Sequence, residues 1–513
     1  MAPPGSTIRH ADVTLPLALS RLRAGRHWVP LVVVAGVFAA SRAAAYAAGV
    51  RFDSSPLGLY GQIVDPELLK TRLAESLFYL HGQPPLFNLY LGVLLKAFGA
   101  HYASIAQATY ILLGIVGAFA LYGLLFRLGC STWLSVALAV LIAVAPPTIL
   151  YENWLFYEYS VAVLLVLSGF ALAGFMSRPS FLSGSFFFLL LAAVIWMRST
   201  FQIVWMLFAA GLVMLALRTR KQLVLRALLV PLLLVVALYG KNLALFDLPS
   251  TSSWFGMNWA KMIFTSVSPA DRARLVERGA LSRVSLVAPF SELEAYRGSV
   301  TLSRPSGIAV LDETHLPSGT PNLNNRSYVR ISNLYLRDSL RLVREEPSAY
   351  ARSVLKAVKL SFVPSADYDF VRRNRRKIGF YTRAFHRVVY LQTPYAAHVG
   401  IAILGAYALA LLYGLRLLRL WIRSGMRSDP KLVTLLYGWF TVLYMTLILA
   451  LTSGAENQRI RFAVDALVVV LVASALSESW PAVRRLFFAE TGRFGGTRLA
   501  GRSPADVLRR SAR

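Results

Sequence analysis

Carboxylates, arginines and amides collect in four polar stretches that border the apolar runs of this chain. The first reads RFDSSPLGLYGQIVDPELLKTRLAESLFYLHGQPPLFN and carries Asp53, Asp65, Glu67, His81 and Gln83. The second, YENWLFYEY, carries Glu152 and Glu158. Arg198 interrupts WMRSTFQ between two apolar runs, and SGAENQRIRF carries Glu456, Asn457, Gln458, Arg459 and Arg461. A carboxylate in such a setting can take the proton of an acceptor hydroxyl. Arginines can hold a phosphate leaving group through paired N–H donors and stabilise its growing charge. Further carboxylates can bind a divalent metal that does the same work. Together these are the parts needed to transfer a sugar from a lipid-linked phosphate.

Each residue also has a plainer reading. An arginine at the end of an apolar run is often an anchor whose head reaches the interface. Glu152 and Glu158 can pair with Arg459 and Arg461 as structural bridges. Asp65-Pro66-Glu67 has the pattern of a helix start, with Asp as N-cap and Pro in the first position. His81 can bond backbone near Pro84 and Pro85. Asp53 has the weakest structural excuse, because no obvious helix begins there.

The elements that must position these residues are membrane spans. Of 513 residues, 56% are hydrophobic and 15% charged, whereas soluble domains average about 25% charged. Apolar runs of about 18 residues or more recur, each long enough to cross a bilayer as a helix. The expected fold is an all-α integral membrane protein of about ten transmembrane helices, with juxtamembrane helices and a mixed extracytoplasmic segment. The net charge of +29 does not imply nucleic acid, because the basic residues flank the apolar runs. They read as topology signals and contacts to anionic membrane lipids. The lone Cys130 excludes an intramolecular disulfide.

Positive residues stay on the cytoplasmic side. Arg9, Arg21, Arg23 and Arg26 precede the first span, at about 28–50, which reads as an uncleaved signal anchor. Residues 86–98 are apolar but short and read as a juxtamembrane helix, the alternative being a short true span that would invert everything after it. Spans at about 104–126, 132–150, 158–177, 181–197, 199–217, 222–245, 396–415, 432–452 and 460–477 follow. Turns with Arg127, Arg178 and Arg218, the loop with Arg416, Arg419, Arg423, Arg427 and Lys431, and the tail with Arg484, Arg485, Arg493, Arg509 and Arg510 then all fall inside. The divisions are a cytoplasmic segment 1–27, a transmembrane core 28–246 with first loop 51–103, an extracytoplasmic segment 247–395, C-terminal spans 396–477 and a basic tail 478–513. Within 247–395 the latter half, about 327–362, has helical spacing of apolar residues, and the earlier part is loop-rich. Asn325-Arg326-Ser327 matches a glycosylation sequon. No phosphate-binding glycine loop, HExxH or Cys/His zinc spacing is present.

In order and spacing, these motifs resemble the GT-C superfamily of membrane glycosyltransferases, in particular protein O-mannosyltransferases and bacterial lipid A aminoarabinose transferases. Asp53 follows the first span as the family's acidic residue does. His81-Gly82-Gln83-Pro84-Pro85-Leu86 resembles the His-Pro-Pro-Leu element, and ENQRIRF the E-x-x-R-x-R-F element. Asp53-Ser54 stands where the family has Asp-Glu, and two residues separate the histidine from the prolines. The resemblance covers most of 28–200 and 430–477. It implies an inverting transferase with a polyprenyl-phosphate sugar donor and a glycan, lipid or protein acceptor. Asp53 would be the general base, with Asp65 second. Arg198, Arg459 and Arg461 would hold the lipid phosphate, and Glu152 and Glu158 would position acceptor or metal. His81, Gln83 and Glu456 would complete the substrate site. Asp53, Glu152 and Glu158 are the candidate ligands of a divalent cation such as Mg2+ or Mn2+. Ala- and Arg-rich usage points to a bacterial plasma (inner) membrane, with the site on the extracytoplasmic face. A transporter or flippase of a lipid-linked anion would use the same arginines without a base, and a scaffold would need neither.

Overall fold

The computed structural model describes residues 28–316, 319–392, 399–426 and 428–491, the last twelve as backbone only. The segment 1–27 with Arg9, Arg21, Arg23 and Arg26, Arg427, the side chains of Arg484 and Arg485, and the tail with Arg493, Arg509 and Arg510 lie outside the described residues.

Apolar runs become helices here because a chain in hydrocarbon must satisfy its backbone internally. In chain order these are α1 (Trp28–Ala47), the short α2 (Pro56–Leu59), α3 (Pro66–Thr71) and α4 (Leu73–Phe78), α5 (Leu86–Phe98), α6 (Tyr102–Arg127), α7 (Thr132–Val144), α8 (Pro146–Glu152), α9 (Tyr157–Ser177), α10 (Phe181–Met197), α11 (Ile203–Ala216) and α12 (Lys221–Phe246). The polar segment contributes α13 (Phe255–Ile263), α14 (Pro269–Glu277), α15 (Ala309–Asp312), α16 (Ser327–Glu345), α17 (Pro347–Ser361), α18 (Arg372–Lys377) and α19 (Gly379–Val388). The bundle closes with α20 (Ile401–Arg423), α21 (Pro430–Thr452) and α22 (Asn457–Thr491). No strand occurs among the described residues, only two isolated bridges. The protein is an all-α, multi-pass membrane protein.

Among the described residues seven helices are long and apolar enough to cross a membrane, with α5 and α6 counted together, or eight if the bent pair α7–α8 counts as one span. α10 and α11 stand where two further spans are expected but have 17 and 14 residues. At 1.5 Å per residue α11 covers about 21 Å. The expected count of ten is therefore not reached on length alone. The missing turn has a consequence, because the chain from Arg198 to Gln202 is non-helical and opens space beside it.

Contacts sort the loops into two ends. At one end Asp53 meets Asn153 and Leu155, His81 meets Ser253 and Asn324, and Arg198 meets Glu158, which also meets Arg459. At the other, Lys431 meets Glu478 and Arg218 meets Gly425. α5 begins and ends at the first, loop-rich end. His81 and Gly82 precede it there, and beyond it the Tyr102 hydroxyl reaches Ser54 at 3.3 Å. A turn at Gly99, φ 51°, separates α5 from α6.

α9 is buried nearly all round, against α6, α10, α21 and α22. α12 presents Leu229, Val230, Leu233 and Leu234 outward, as a bilayer-facing helix does. α16 and α17 lie within 327–362, α17 packing on α21 and α22. The earlier part of the polar segment is less loop-rich than expected, since α13 and α14 have nine residues each. α13 crosses α16 at Gly256, where a Cβ would stand 1.9 Å from the Ser332 carbonyl oxygen. Only glycine permits that approach.

Candidate active site

The end of α1 delivers Asp53 to the loop after α8. The Asp53 amide donates to the Asn153 carbonyl at 2.9 Å, and the Leu155 amide donates to the Asp53 carbonyl at 2.9 Å. The Asp53 carboxylate accepts from the Ser55 amide at 3.0 Å and is half-buried. Ser55 introduces the short helix α2, so a helical turn does follow Asp53 after all.

The second loop is set by a kink. Pro146 and Pro147 force Ala145 into an extended conformation, and α7 and α8 meet at a 54° bend. The bend carries Glu152 into the bundle, where Arg42 of α1 donates to it at 2.6 Å and 2.9 Å and Tyr159 donates at 2.8 Å. Arg42 also donates to the Ala143 carbonyl at 2.7 Å, bracing the bend itself. Gly114 makes room, since a Cβ there would lie 2.3 Å from the Tyr159 hydroxyl. Glu152 is thus paired with Arg42 and not with Arg459 or Arg461.

Glu158 lies in the first turn of α9, where the helix dipole favours a carboxylate. Its Oε1 accepts from Arg198 at 2.8 Å and from Arg459 at 3.0 Å. Arg459 in turn reaches Glu456. Arg198, Arg459 and Glu158 are all almost fully buried. The Nε of Arg459 and the Oε2 of Glu158 have no partner among the described residues, although buried polar atoms are nearly always bonded.

Arg198, Arg459 and Glu456 face a cavity of about 500 Å³, together with Gln83, Gln202 and Lys261. That volume lies in the range of small-molecule sites. Burial alone would push the Glu456 carboxyl up, but Arg459 and Lys261 hold it below the usual carboxylate range. The cavity therefore stays charged, with three cations against Glu158 and Glu456. Tyr60 packs on Trp154, Phe156 and Phe370 and feels the charges of both Asp53 and Arg459. Burial chiefly raises its phenol, Asp53 raises it further and Arg459 lowers it. The half-buried Asp53 does not itself line the cavity.

Four expected site residues are placed elsewhere. Asp65 is buried as the N-cap of α3, accepting from the amides of Glu67 at 2.8 Å and Leu68 at 3.2 Å. Both bonds fall on Oδ1. His81 is fully buried, bonded to the Ser253 hydroxyl at 2.8 Å and the Asn324 carbonyl at 2.8 Å, not to backbone near Pro84. Burial lowers its pKa to about 4, with Lys241 and Arg326 adding to the effect, so it is a neutral staple between loops. Arg461 turns away from Arg459 and pairs with Asp465 at 2.5 Å and Ser365 at 2.9 Å. Glu152 lies behind the second loop, on Arg42. Asn325 of the sequon is buried, its amide donating to the Asp312 and Glu313 carbonyls.

Three carboxylates, Asp53, Glu152 and Glu158, are offered as ligands of a divalent cation. Glu152 and Glu158 are each neutralised by arginine, and no group of three or more candidate ligands exists among the described residues. Lys261 and Arg42 escaped sequence reasoning. Arg42 had a signal, because an ionisable residue inside a span implies a buried partner. Lys261, alone in the apolar stretch from Gly256 to Phe264, had a weaker one.

No family model matches the sequence, and no curated protein matches it. Among solved structures, the chain is similar to the archaeal oligosaccharyltransferase AglB from Archaeoglobus fulgidus in complex with an inhibitory peptide and a dolichol-phosphate. That match is 13% identical with a TM-score of 0.38 and covers 91% of this chain and 52% of that one. The Archaeoglobus fulgidus oligosaccharyltransferase tethered with an acceptor peptide matches at 13% identity and TM-score 0.35, covering 93% and 52%. ArnT from Cupriavidus metallidurans bound to undecaprenyl phosphate matches at 14% identity and TM-score 0.30, covering 89% and 80%. This chain spans about half the length of the archaeal oligosaccharyltransferase chains to which it is similar.

Proposed function

We propose that this chain is a membrane glycosyltransferase that takes a sugar from a polyprenyl-phosphate donor at the extracytoplasmic face. The observation that carries the proposal is the buried Arg198–Glu158–Arg459 array at the cavity wall. With Lys261 added, three cations stand against the two carboxylates Glu158 and Glu456, and a wall of net positive charge suits an anion such as a phosphate. The cavity is lined by the non-helical chain before α11, at Arg198, Ser199, Thr200 and Gln202, and by the end of α21, at Ile448, Leu449 and Thr452. Val204 and Leu207 of α11 and Leu447 and Leu451 of α21 are exposed, which suits a polyprenyl tail that remains in hydrocarbon while its phosphate enters.

In the proposed reaction the acceptor hydroxyl oxygen bonds to the anomeric carbon while the bond from that carbon to the phosphate oxygen breaks. The electron pair goes to the phosphate, where Arg198, Arg459 and Lys261 stabilise it. The hydroxyl proton passes to Asp53, and attack opposite the leaving group inverts the centre. A sugar reaching from Arg459 past Tyr60 meets the acceptor beside Asp53. Segment 28–246 with 396–477 forms the catalytic bundle in this reading, and 247–395 covers the cavity and admits the acceptor.

The test is incubation of purified protein with radiolabelled polyprenyl-phosphate sugars, with and without a divalent cation, beside Asp53→Asn and Arg459→Gln. Release or transfer of one sugar, lost in Asp53→Asn with donor binding kept, is expected. Transbilayer movement of donor in liposomes with no covalent product favours the flippase reading. Absence of donor binding by folded protein refutes the proposal.

A further inference from the structure

A second cavity, of about 820 Å³, lies between α7, α20 and α22. Its walls are aliphatic, from Leu138 and Ile142 of α7, Ala402 and Ala406 of α20, and Val468 and Val472 of α22. Near the loop-rich end it stops at Arg461, Asp465, Tyr390 and Tyr407; at the other it reaches Gly129 and Ser477. From Asp465 to Ser477 is twelve residues of one helix, about 18 Å. The groove thus runs along much of the membrane's thickness on a face away from the Arg198–Arg459 cavity.

Its polar end is built. Arg461 is 3% exposed, and its Nε has no partner among the described residues. Arg461 donates to Asp465 at 2.5 Å and to the Ser365 hydroxyl at 2.9 Å, and Tyr407 donates to Asp465 at 3.1 Å. A charged pair at membrane depth is costly, and such residues usually mark a ligand or a polar path. The pair has no net charge, so an anionic phosphate gains little from Arg461 and is repelled by Asp465. An uncharged hydroxyl suits the pair, donating to the Asp465 carboxylate, which is the more open of the two towards the groove. The length and aliphatic lining suit one long chain attached to that head.

We infer that the groove between α7, α20 and α22 binds a membrane lipid with one chain along the aliphatic wall and an uncharged, hydroxyl-bearing head on the Arg461–Asp465 pair. The site is separate from the proposed sugar-transfer site and does not depend on it.

The probe is a diacylglycerol carrying a photoreactive diazirine on one acyl chain, added to the full chain in phosphatidylcholine nanodiscs. Labelling is expected on α7, α20 and α22 peptides, competed by unlabelled dioleoylglycerol at least tenfold better than by phosphatidylglycerol. Ala406→Phe, which fills the groove, removes the label. Asp465→Asn keeps the shape but weakens the diacylglycerol preference, and its unfolding temperature shows whether the fold survives. Label spread over all bilayer-facing helices, or equal competition by both lipids, overturns the inference. So does a wild-type dimer that Ala406→Phe dissociates, because a second copy would then fill the groove.

Discussion

Arg459 and Arg461 stand two residues apart on α22 and reach opposite partners, Arg459 the Glu158 carboxylate at 3.0 Å and Arg461 the Asp465 carboxylate at 2.5 Å. Two residues of an α-helix turn through roughly 200°. One arginine therefore lines the cavity with Arg198 and the other the groove beside α7 and α20. The two arginines of the ENQRIRF motif thus line two different cavities.

The two arginines should separate in a donor-binding assay. Arg459→Gln removes a charge-assisted contact, worth about 1.5–3 kcal/mol, and weakens binding of a polyprenyl-phosphate sugar roughly 10–100-fold. Arg461→Gln leaves donor affinity within about twofold. Equal losses in both variants would place the lipid phosphate between them and contradict the geometry.

Asp53 and Asp65 separate on activity against stability. Asp53→Asn keeps the backbone bridge to Asn153 and Leu155 and should lower transfer by about 10²–10⁴-fold in a folded protein. Asp65→Ala removes an N-cap, costing about 1 kcal/mol and lowering the unfolding temperature while transfer persists. Full activity in Asp53→Asn would move the base to Glu456, the carboxylate that does line the cavity.

The helical bundle was legible because hydrocarbon leaves the backbone few options, and an apolar run of sufficient length declares itself. The grouping of loops was legible from charge. Facing was not. Glu152 and Glu158, six residues apart, looked like one acidic site, yet the turn between α8 and α9 sends one to Arg42 and the other to Arg198. Arg459 and Arg461 misled in the same way, because a motif fixes spacing while packing decides which neighbour each side chain finds. Asp65 illustrates the reverse, since its capping role follows from the local sequence Asp-Pro-Glu alone.

The Arg42–Glu152 pair should act as a support for Asp53. Glu152→Ala leaves Arg42 buried without its carboxylate, and breaking such a pair costs about 3–5 kcal/mol. Removing both charges in Arg42→Met with Glu152→Leu should restore most of that stability. Thermal unfolding in detergent checks both variants. A double variant as unstable as Glu152→Ala would show that the pair's hydrogen bonds to Tyr159 and Ala143, not its charges, hold the bend.

His81 sets an acid limit on the fold. Its folded pKa is about 4, depressed by burial, with Lys241 and Arg326 acting in the same direction and the Asn324 carbonyl opposing. In the unfolded chain it titrates near 6.5. Between those values the unfolded state binds the extra proton, so stability is full above about pH 6.5 and falls as pH drops towards 4. The slope from this one group is at most about 1.4 kcal/mol per pH unit. Protonation would put a second donor on Nδ1, which now accepts from the Ser253 hydroxyl while Nε2 donates to Asn324. The staple between the first loop and the 253 and 324 segments then loosens, and Gln83 with it. Unfolding temperature should decline from pH 6.5 to 4.5 in the wild type, and His81→Gln, which keeps a donor and an acceptor, should flatten that decline. An unchanged slope in His81→Gln would assign the acid sensitivity to other groups, with Glu456 the next to test because Arg459 and Lys261 hold it ionised.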